Sequence, residues 1–434
     1  MKPGKQGRAA PAPESGHQAF TQRSEHSMND ERWLLPEGIE ELLPPQARQL
    51  EELRRALLDL FQRWGYELVI PPLVEYLDSL LTGTGNDLDI QTFKLIDQLN
   101  GRLMGVRADM TPQVARIDAH RLAGREGPVR LCYQGTVLHT RGDGLGGSRS
   151  FSQIGAELYG HAGVESDAEM VCLMLETLEL AGVHPVHVDV GHVGIFRALS
   201  RGAGLSAEQE GTLFDALQRK AVPEVEALVE ELDMDSRLGQ SFVDLVWLHG
   251  DAAVLDEARR RFDDNSEVMQ ALDEVTHVAE HVRQLRPDVA LHFDFAELRG
   301  FHYHTGVVFA AYQPGQGRAI AQGGRYDAIG QVFGRARPAT GFSTNLCSLV
   351  ALGSVAEHPV SGIFAPLNDS PARQAEMMTR VRELRAAGER VVCELPGQSG
   401  GASAAGCDRI LRSSDEGWSV VPVEQASARH GHEN

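Results

Sequence analysis

The sequence predicts an α+β protein in which an antiparallel sheet is flanked by helices and followed by a small C-terminal α/β domain. Strand-like runs separated by turn signals occupy about residues 66–160 and return near residue 290. Between them, residues 196–286 show helical periodicity and little strand signal, which indicates a helical insertion. From residue 361, short strands alternate with one clear helix, Pro371–Ala387, as is typical of a small α/β domain.

These changes of pattern divide the chain into four parts. Residues 1–30 are rich in Pro, Gly, Gln and Ser and lack the apolar run of a secretory signal, so we expect a disordered tail or a segment upstream of the true start. Folded patterning begins at Met28, which N-terminal sequencing would test as the natural initiator. The core covers residues 31–195 and 287–352, and the helical insertion covers residues 196–286. The C-terminal α/β domain covers residues 361–434.

The first helix of the core is predicted from apolar spacing. Leucines and a tryptophan recur three and four residues apart, at Leu50, Leu53, Leu57, Leu60 and Trp64. This pattern predicts an amphipathic helix over about Pro45–Trp64 that ends at Gly65. The following run, YELVIPPLVEY, carries Pro71 and Pro72, and since proline has no N–H to donate, this strand is expected at a sheet edge or an interface.

Two hairpins are predicted next. TFKLIDQLNGRLMGV turns at Asn100-Gly101, a favoured hairpin dipeptide. Later, two strand-like runs flank the glycine-rich stretch Gly142–Gly147. This stretch resembles a dinucleotide fingerprint only superficially, because that fingerprint requires a helix after the glycines and here a strand follows. We therefore interpret it as a hairpin loop.

The second strand of that hairpin, SFSQIGAELYG, alternates in character. Side chains of alternate residues share a face of a strand, so Ile154, Ala156 and Leu158 are predicted to face the core. The opposite row is polar and contains a glycine, with the members Gln153, Gly155, Glu157 and Tyr159. This row suits either the floor of a small-ligand site or a solvent-exposed face.

Composition restricts the classes of function. The formal net charge of −20 argues against a large nucleic-acid footprint, because each phosphate contact needs a cation. No apolar run reaches the length of a membrane span. The five cysteines form no CxxC pair, which indicates reduced thiols in a cytoplasmic protein. His292, His302 and His304 lie near one another in the sequence, but we favour packed or ligand-facing histidines over a metal site.

Six motifs in order resemble the class II aminoacyl-tRNA synthetases, and histidyl-tRNA synthetase in particular, over about residues 34–350. In this sequence they read GIEELLPP, VIPP, RADMTPQVAR, the glycine-rich hairpin, ELRGFHYHTGVVF, and QGGRYD followed by ATGF. The resemblance implies a pocket for histidine without a cofactor or metal. Its implied residues are Asp109, Thr111, Gln153, Glu157, Arg299, Tyr303 and His304. A carboxylate would neutralise the ligand ammonium, and Arg299 would pair with its carboxylate or act as an electrophile.

The sequence departs from the synthetase pattern where ATP would bind. The family stabilises the charge of adenylate formation with one arginine in the hairpin and another in its third motif. The matching positions are His139 and Ser348, and Arg141 replaces the hairpin acid that usually contacts adenine. Because one such charge-stabilising donor is worth roughly 10²–10³ in rate, the resemblance implies a degenerate ATP site.

The stretch VLHTRGDGLGGSRSFSQIGAELYG and the ending GCDRILRSSDEGWSVVPV resemble the family of ATP phosphoribosyltransferase regulatory subunits, over nearly the whole chain after Met28. The departures above and a C-terminal region of fewer than about eighty residues agree with this resemblance. That family implies a non-catalytic cytoplasmic protein that assembles with a short catalytic subunit and passes on feedback inhibition by histidine. It further implies a homodimer within a hetero-oligomer, without tRNA or membrane binding. Two alternatives remain open: a histidine-binding sensor module with another partner, and an active histidyl-tRNA synthetase.

Overall fold

The computed structural model describes residues 33–82, 86–142, 147–297, 300, 303–353, 361–414 and 417–424. The predicted disordered tail, residues 1–30, therefore lies outside the described residues, as do Met28, Arg299 and His302. The described chain separates into two compact units, one within residues 1–355 and the other within residues 356–434.

The described residues contain sixteen strands, numbered here in chain order. They are β1 Glu67–Leu68, β2 Val74–Tyr76, β3 Phe93–Ile96, β4 Leu103–Val106, β5 Val129–Leu138, β6 Ser150–Tyr159, β7 His187–His192, β8 His249–Gly250, β9 Ala290–Asp294, β10 Val307–Tyr312, β11 Ala321–Arg325, β12 Ala339–Asn345, β13 Ile363–Ala365, β14 Val391–Cys393, β15 Arg409–Ser414 and β16 Gly417–Pro422.

The α-helices of the first unit are Gln46–Arg63, Leu77–Leu80, Asn86–Gln91, Thr111–Arg116, Val164–Leu180, Val193–Ala203, Ala207–Gln218, Val222–Glu231, Ser236–Trp247, Ala253–Arg261, Ser266–Leu285 and Leu346–Leu352. A π-helical turn spans Ile117–Arg121, and a 3₁₀ turn spans Ile329–Phe333. The second unit adds the helices Pro371–Ala386 and Gly401–Ala404. Among the described residues, no helix combines the length and the apolar character that a membrane crossing requires.

A nine-stranded sheet organises the first unit, in the order β1-β5-β6-β12-β11-β10-β7-β9-β8. The predicted α+β fold with a helix-flanked sheet is confirmed, but the sheet is not wholly antiparallel, because β1 runs parallel to β5 and β7 runs parallel to β9. The other pairs are antiparallel, so the sheet is mixed. Both predicted hairpins are present, as β3 with β4 and as β5 with β6.

The proline-containing run does not form one strand. It splits into β1 and β2, which belong to different sheets, and Pro71 and Pro72 lie between them. The missing N–H groups explain the break, since neither proline can donate to a ladder. The prediction of an edge position is confirmed, because β1 is the outermost strand of the large sheet. The three-stranded sheet has the order β2-β4-β3.

The helical insertion differs from its prediction in two ways. Its first helix begins at Val193 rather than near residue 196, and the two-residue strand β8 pairs with β9 at the edge of the large sheet. Apolar residues of the insertion also share one buried cluster with the sheet, as Phe196 and Leu213 do with Phe309. The insertion therefore packs as part of the first unit and extends its core.

The second unit is a four-stranded sheet in the order β14-β13-β15-β16. The helix Pro371–Ala386 packs Met377 and Val381 against one buried cluster, and the short helix Gly401–Ala404 contributes Ala402 to another. The predicted alternation of short strands with one clear helix is thus present, with the helix ending one residue earlier than expected.

Candidate functional site

A cavity of 620 Å³ lies on the large sheet where β6, β10, β11 and β12 meet. Five of the seven predicted histidine-binding residues line it, namely Asp109, Thr111, Glu157, Tyr303 and His304. They come from three separate stretches of chain, so the fold gathers them into one place. The sixth residue, Gln153, does not line the cavity but hydrogen-bonds to the lining residues Asp109 and Ser343. The seventh, Arg299, lies outside the described residues.

Gln153 acts by orienting Asp109. Its amide nitrogen donates to Asp109 Oδ1 over 2.8 Å and to Ser343 Oγ over 3.2 Å, while its amide oxygen accepts from the Met110 N–H over 3.0 Å. Asp109 Oδ1 also accepts from the backbone N–H of Thr111 over 3.1 Å. Because these donors hold one oxygen of Asp109, its carboxylate is fixed at the cavity wall before a ligand arrives.

Glu157 lies at the floor and is only 1% exposed. The hydroxyl of Tyr133 donates to its Oε1 over 2.9 Å, and the hydroxyl of Tyr326 donates to its Oε2. On the neighbouring strand its partner is Gly341, where any β-carbon would overlap the Glu157 carboxylate. A glycine is therefore required for Glu157 to occupy this position.

Burial raises the pKa of Glu157 to about 8, against the opposing effect of the tyrosine hydrogen bonds. Near neutral pH the carboxyl group of the empty cavity is therefore largely protonated. A cation placed within hydrogen-bond distance would favour the ionised form and lower this pKa. Binding of a cationic ligand here would therefore be linked to release of a proton from Glu157.

Tyr303 forms a wall with an available polar end. Its ring stacks on that of Tyr326, with the ring centroids 4.9 Å apart. It meets the His304 ring edge-to-face, with the ring centroids 5.3 Å apart. The buried Tyr303 hydroxyl has no hydrogen-bond partner among the described residues. Gly300 has φ +66° and lies against His304, so a side chain there would be strained and would clash with that ring.

The charged lining is acidic. Besides Glu157, which is largely protonated near neutral pH, the cavity is lined by Asp109, Asp215 and Glu297, and none of its described lining residues is lysine or arginine. Several carboxylates in one partly enclosed cavity attract a cation and repel a polyphosphate. The described part of the cavity therefore fits a ligand that presents an amine.

The hairpin position His139 lies outside this lining. Its Nε2 donates to the Ala108 carbonyl over 2.9 Å, and its ring packs against Phe151 at 4.8 Å. The nearby cation Arg149 is already engaged, because it donates to the carbonyls of His139 and Glu37 over 3.1 and 3.2 Å. Both side chains thus hold the hairpin together.

The other two positions of the predicted degenerate ATP site also lie away from the cavity lining. Arg141 is exposed and lies three residues beyond the end of β5. Ser348 is half-buried on the helix Leu346–Leu352, whose first turn is capped by Asn345. His304 lines the cavity, whereas His292 lies on β9 with its Nδ1 3.2 Å from Asp189 Oδ1.

Sequence reasoning missed two groups of residues. Tyr133 and Tyr326 both donate hydrogen bonds to Glu157. Tyr326 lies in QGGRYD, which supports the resemblance to the synthetases but does not by itself indicate a contact with Glu157. The insertion, for which no role was predicted, supplies one wall through Gly211, Phe214, Asp215 and Gln218. No local sequence pattern predicts this wall, because it depends on how the helix Ala207–Gln218 packs against residues that are distant in sequence.

Comparison with known families gives two matches. The family model described as histidyl-tRNA synthetase matches residues 38–349. The model described as the ATP phosphoribosyltransferase subunit HisZ C-terminal domain matches residues 360–421. Together the two models cover both compact units of the chain.

Solved structures agree with this assignment at the level of the fold. A crystal structure from Bacillus halodurans, described as an ATP phosphoribosyltransferase regulatory subunit/histidyl-tRNA synthetase, superposes with a TM-score of 0.77 at 29% identity, over 87% of this chain and 97% of that one. Histidyl-tRNA synthetase from Nostoc sp. PCC 7120 superposes with a TM-score of 0.74 at 19% identity, over 91% and 98% of the two chains.

Curated relatives are more similar in sequence. The ATP phosphoribosyltransferase regulatory subunit of Thioalkalivibrio sulfidiphilus is 60% identical over 395 residues, which span 90% of this chain and 99% of the relative. The subunit of the same name from Alkalilimnicola ehrlichii is 56% identical over 91% of this chain and 98% of its own length. On these similarities, the chain belongs to the family of ATP phosphoribosyltransferase regulatory subunits.

Proposed function

We propose that this chain is a non-catalytic regulatory subunit that assembles with the short catalytic subunit of ATP phosphoribosyltransferase in histidine biosynthesis. It raises the activity of that subunit and passes on feedback inhibition by histidine. The observation that carries the proposal is the acidic cavity, in which Asp109 and Glu157 are held in place by Gln153, Tyr133 and Tyr326.

Histidine fits the chemistry of this cavity. Its ammonium group would pair with carboxylates such as Asp109, while the Tyr303 hydroxyl and the Glu157 carboxyl group offer hydrogen bonds to polar nitrogens. Arg299, which lies outside the described residues, is the proposed partner of the ligand carboxylate. Feedback then requires that histidine bind one state of the complex more tightly than the other.

The proposal of a non-catalytic subunit rests on the missing cations. His139 donates a hydrogen bond from Nε2 to a backbone carbonyl, Ser348 is neutral, and Arg141 is exposed. Adenylate formation requires cations aimed at the α-phosphate, and the loss of two such donors should lower the rate by several orders of magnitude. A nucleotide polyphosphate would also meet the acidic side chains of the cavity.

The decisive experiment combines this chain with the short catalytic subunit of the same organism. Formation of phosphoribosyl-ATP is followed with and without the chain while histidine is titrated. We expect the chain to raise the rate and histidine to suppress it. Glu157→Gln should weaken the suppression, whereas Glu230→Gln, at an exposed carboxylate of the insertion, should leave it unchanged.

Each other outcome points to an alternative. If the rate of phosphoribosyl-ATP formation does not change when the chain is added, a histidine-binding sensor with another partner would be favoured. Histidine-dependent exchange between ATP and pyrophosphate by the chain alone would indicate an active histidyl-tRNA synthetase. Suppression that persists unchanged in both Glu157→Gln and Asp109→Asn would place the sensor elsewhere, for example at the subunit interface.

Assembly and location extend the proposal. We propose a cytoplasmic homodimer within the hetero-oligomer, which binds neither tRNA nor a membrane. Sedimentation velocity of the chain alone and with the catalytic subunit measures both stoichiometries. A chain that remains monomeric in both conditions would contradict the proposed assembly.

A further inference from the structure

The wall of the cavity is divided between two parts of the chain. One side belongs to the insertion helix Ala207–Gln218, which contributes Phe214, Asp215 and two further residues. The other side follows β9 and contains Glu297, Gly300 and Tyr303. These sides are far apart in sequence. They share the apolar core, in which Leu213 of the helix and Phe295 after β9 are buried, and a polar contact between them would further fix the shape of the cavity.

An ion pair joins the two sides. Lys220, two residues beyond the insertion helix, places its Nζ 2.6 Å from Asp294 Oδ2 at the end of β9. Asp294 is only 5% exposed, and its other oxygen accepts from the backbone N–H of Ala296 over 3.0 Å. Asp294 therefore fixes the turn that leads to Glu297 while it holds Lys220.

The backbone at Lys220 shows that this position is unusual. Its φ is +50°, in the left-handed region that disfavours residues with a side chain, and such strain is worth on the order of 1 kcal/mol. On backbone grounds alone, glycine or asparagine would suit this turn better. A lysine here is explained by its side chain, which reaches a buried carboxylate that has no other ion-pair partner recorded among the described residues.

We propose that the Lys220–Asp294 ion pair is a latch that holds the insertion helix against the segment after β9 and so completes the histidine pocket. Lys220 is then a positioning residue, because it acts on the cavity without lining it. This inference rests on the proposed function of the cavity. It also gives the insertion a role, since histidine in the cavity would contact the insertion and both sides of the latch would be stabilised together.

The test compares variants of the full-length chain. Lys220→Asn tolerates the left-handed backbone but removes the ammonium group. We expect histidine affinity to fall by about tenfold, and backbone amide exchange of Ala207–Gln218 to accelerate in the empty protein. Lys220→Arg keeps the charge and should restore most of both. The matched control is Arg237→Ala, which removes ion pairs with Asp263 and Asp264 elsewhere in the insertion and should change neither.

A second variant separates the latch from general damage. Asp294→Asn keeps an oxygen that can accept from Ala296 but removes the charge that holds Lys220. If the latch is real, Asp294→Asn and Lys220→Asn each weaken histidine binding, and the double variant is no weaker than the worse single variant. Circular dichroism confirms that each variant is folded before it is compared.

The outcomes separate this inference from the proposed function. Lys220→Asn with the affinity and amide exchange of the wild type would overturn the latch. Wild-type protein that binds no histidine in calorimetry would refute the proposed ligand, and the exchange of Ala207–Gln218 in the empty variants would still decide whether the latch exists. Fully additive effects of the two substitutions would show that the residues act independently, which also overturns it.

Discussion

The floor of the cavity and the glycine-rich hairpin lie at different points along the same two strands, β5 and β6, and their polar groups make different contacts. At the floor, Tyr133 on β5 and Glu157 on β6 are hydrogen-bonded to each other, with Tyr326 completing the set. At the hairpin end of the same strands, His139 is bonded to a backbone carbonyl and Arg141 is exposed. One end presents organised carboxyl groups, whereas the other presents no charge to the cavity among its described residues.

This difference teaches how a binding site and a catalytic site can separate on one scaffold. A ligand can be held by pre-oriented hydrogen-bonding groups, and those remain at the floor. Chemistry on a phosphate requires cations where negative charge develops. Of the corresponding positions, His139 is engaged by a backbone carbonyl, Ser348 is neutral, and Arg141 lies outside the cavity lining. Under the proposed function, the same sheet recognises an amino acid without activating it.

The largest expected effect breaks the floor. Glu157→Ala removes the acceptor of the Tyr133 and Tyr326 hydroxyls, and an unsatisfied buried hydroxyl costs about 1–3 kcal/mol. We expect histidine affinity to fall at least about 100-fold and the free energy of unfolding to fall by about 2 kcal/mol or more. Calorimetry and urea unfolding measure these quantities, with Glu157→Gln as the variant that preserves shape. An Ala variant with wild-type affinity would contradict a role of Glu157 in binding.

The next prediction concerns pH. The pKa of Glu157 is raised from 4.5 to about 8 by burial, so between these values the unfolded chain loses a proton that the folded protein keeps. Stability should therefore fall as pH rises from about 4.5 to 8 and level off above, by at most about 1.4 kcal/mol per pKa unit. The measurement is the difference in unfolding free energy between wild type and Glu157→Gln across this range. A difference that is constant with pH would show that the buried carboxyl group is not titrating in this way.

A smaller effect is expected at Asp109. Asp109→Asn removes one negative charge from the wall while leaving an oxygen for the donors of Gln153 and Thr111. Charge-assisted hydrogen bonds are worth about 1.5–3 kcal/mol, so histidine affinity should fall about ten- to 100-fold with little change in melting temperature. Calorimetry with histidine and with histidinol, which shares the ammonium but lacks the carboxylate, tests whether the loss belongs to the ammonium. If wild type and variant bind both compounds with equal affinity, Asp109 does not contribute to ligand binding.

Tyr303 sharpens the comparison further. Since its buried hydroxyl has no described partner, Tyr303→Phe should leave the stability of the empty protein unchanged or slightly higher. If the hydroxyl contacts histidine, affinity should fall by about fivefold, which corresponds to roughly 1 kcal/mol. Thermal unfolding and calorimetry measure the two effects. A marked loss of stability without ligand would reveal a partner for this hydroxyl in the empty protein.

The smallest effect is expected at two positions of the predicted ATP site, Arg141 beyond the first hairpin strand and Ser348 on the helix Leu346–Leu352. Arg141→Ala and Ser348→Ala change residues that do not line the cavity, so histidine affinity should stay within about twofold of the wild type. Calorimetry provides the measurement, with Glu157→Gln as the positive control. A large loss in either variant would mean that the cavity is coupled to residues outside its lining.

Local patterns in the sequence anticipated much of the fold. The helix Gln46–Arg63, both hairpins and the alternation of the C-terminal unit follow from spacing and turn residues, which act over a few positions. The residues Asp109, Thr111 and Glu157 came from a resemblance to a known family and do line one cavity. The parallel pairing of β1 with β5 was missed, because strand direction depends on connections that no short pattern encodes.

The sequence by itself determined which polar side chains share a strand face and which cations the hairpin lacks, because both depend only on residue identity and alternation. Only the tertiary structure decided that Tyr326 binds Glu157 and that Lys220 reaches Asp294. These pairs are separated by 169 and 74 positions along the chain. Contacts at such separations are set by how the sheet and the insertion pack, and burial in that packing is also what raises the pKa of Glu157.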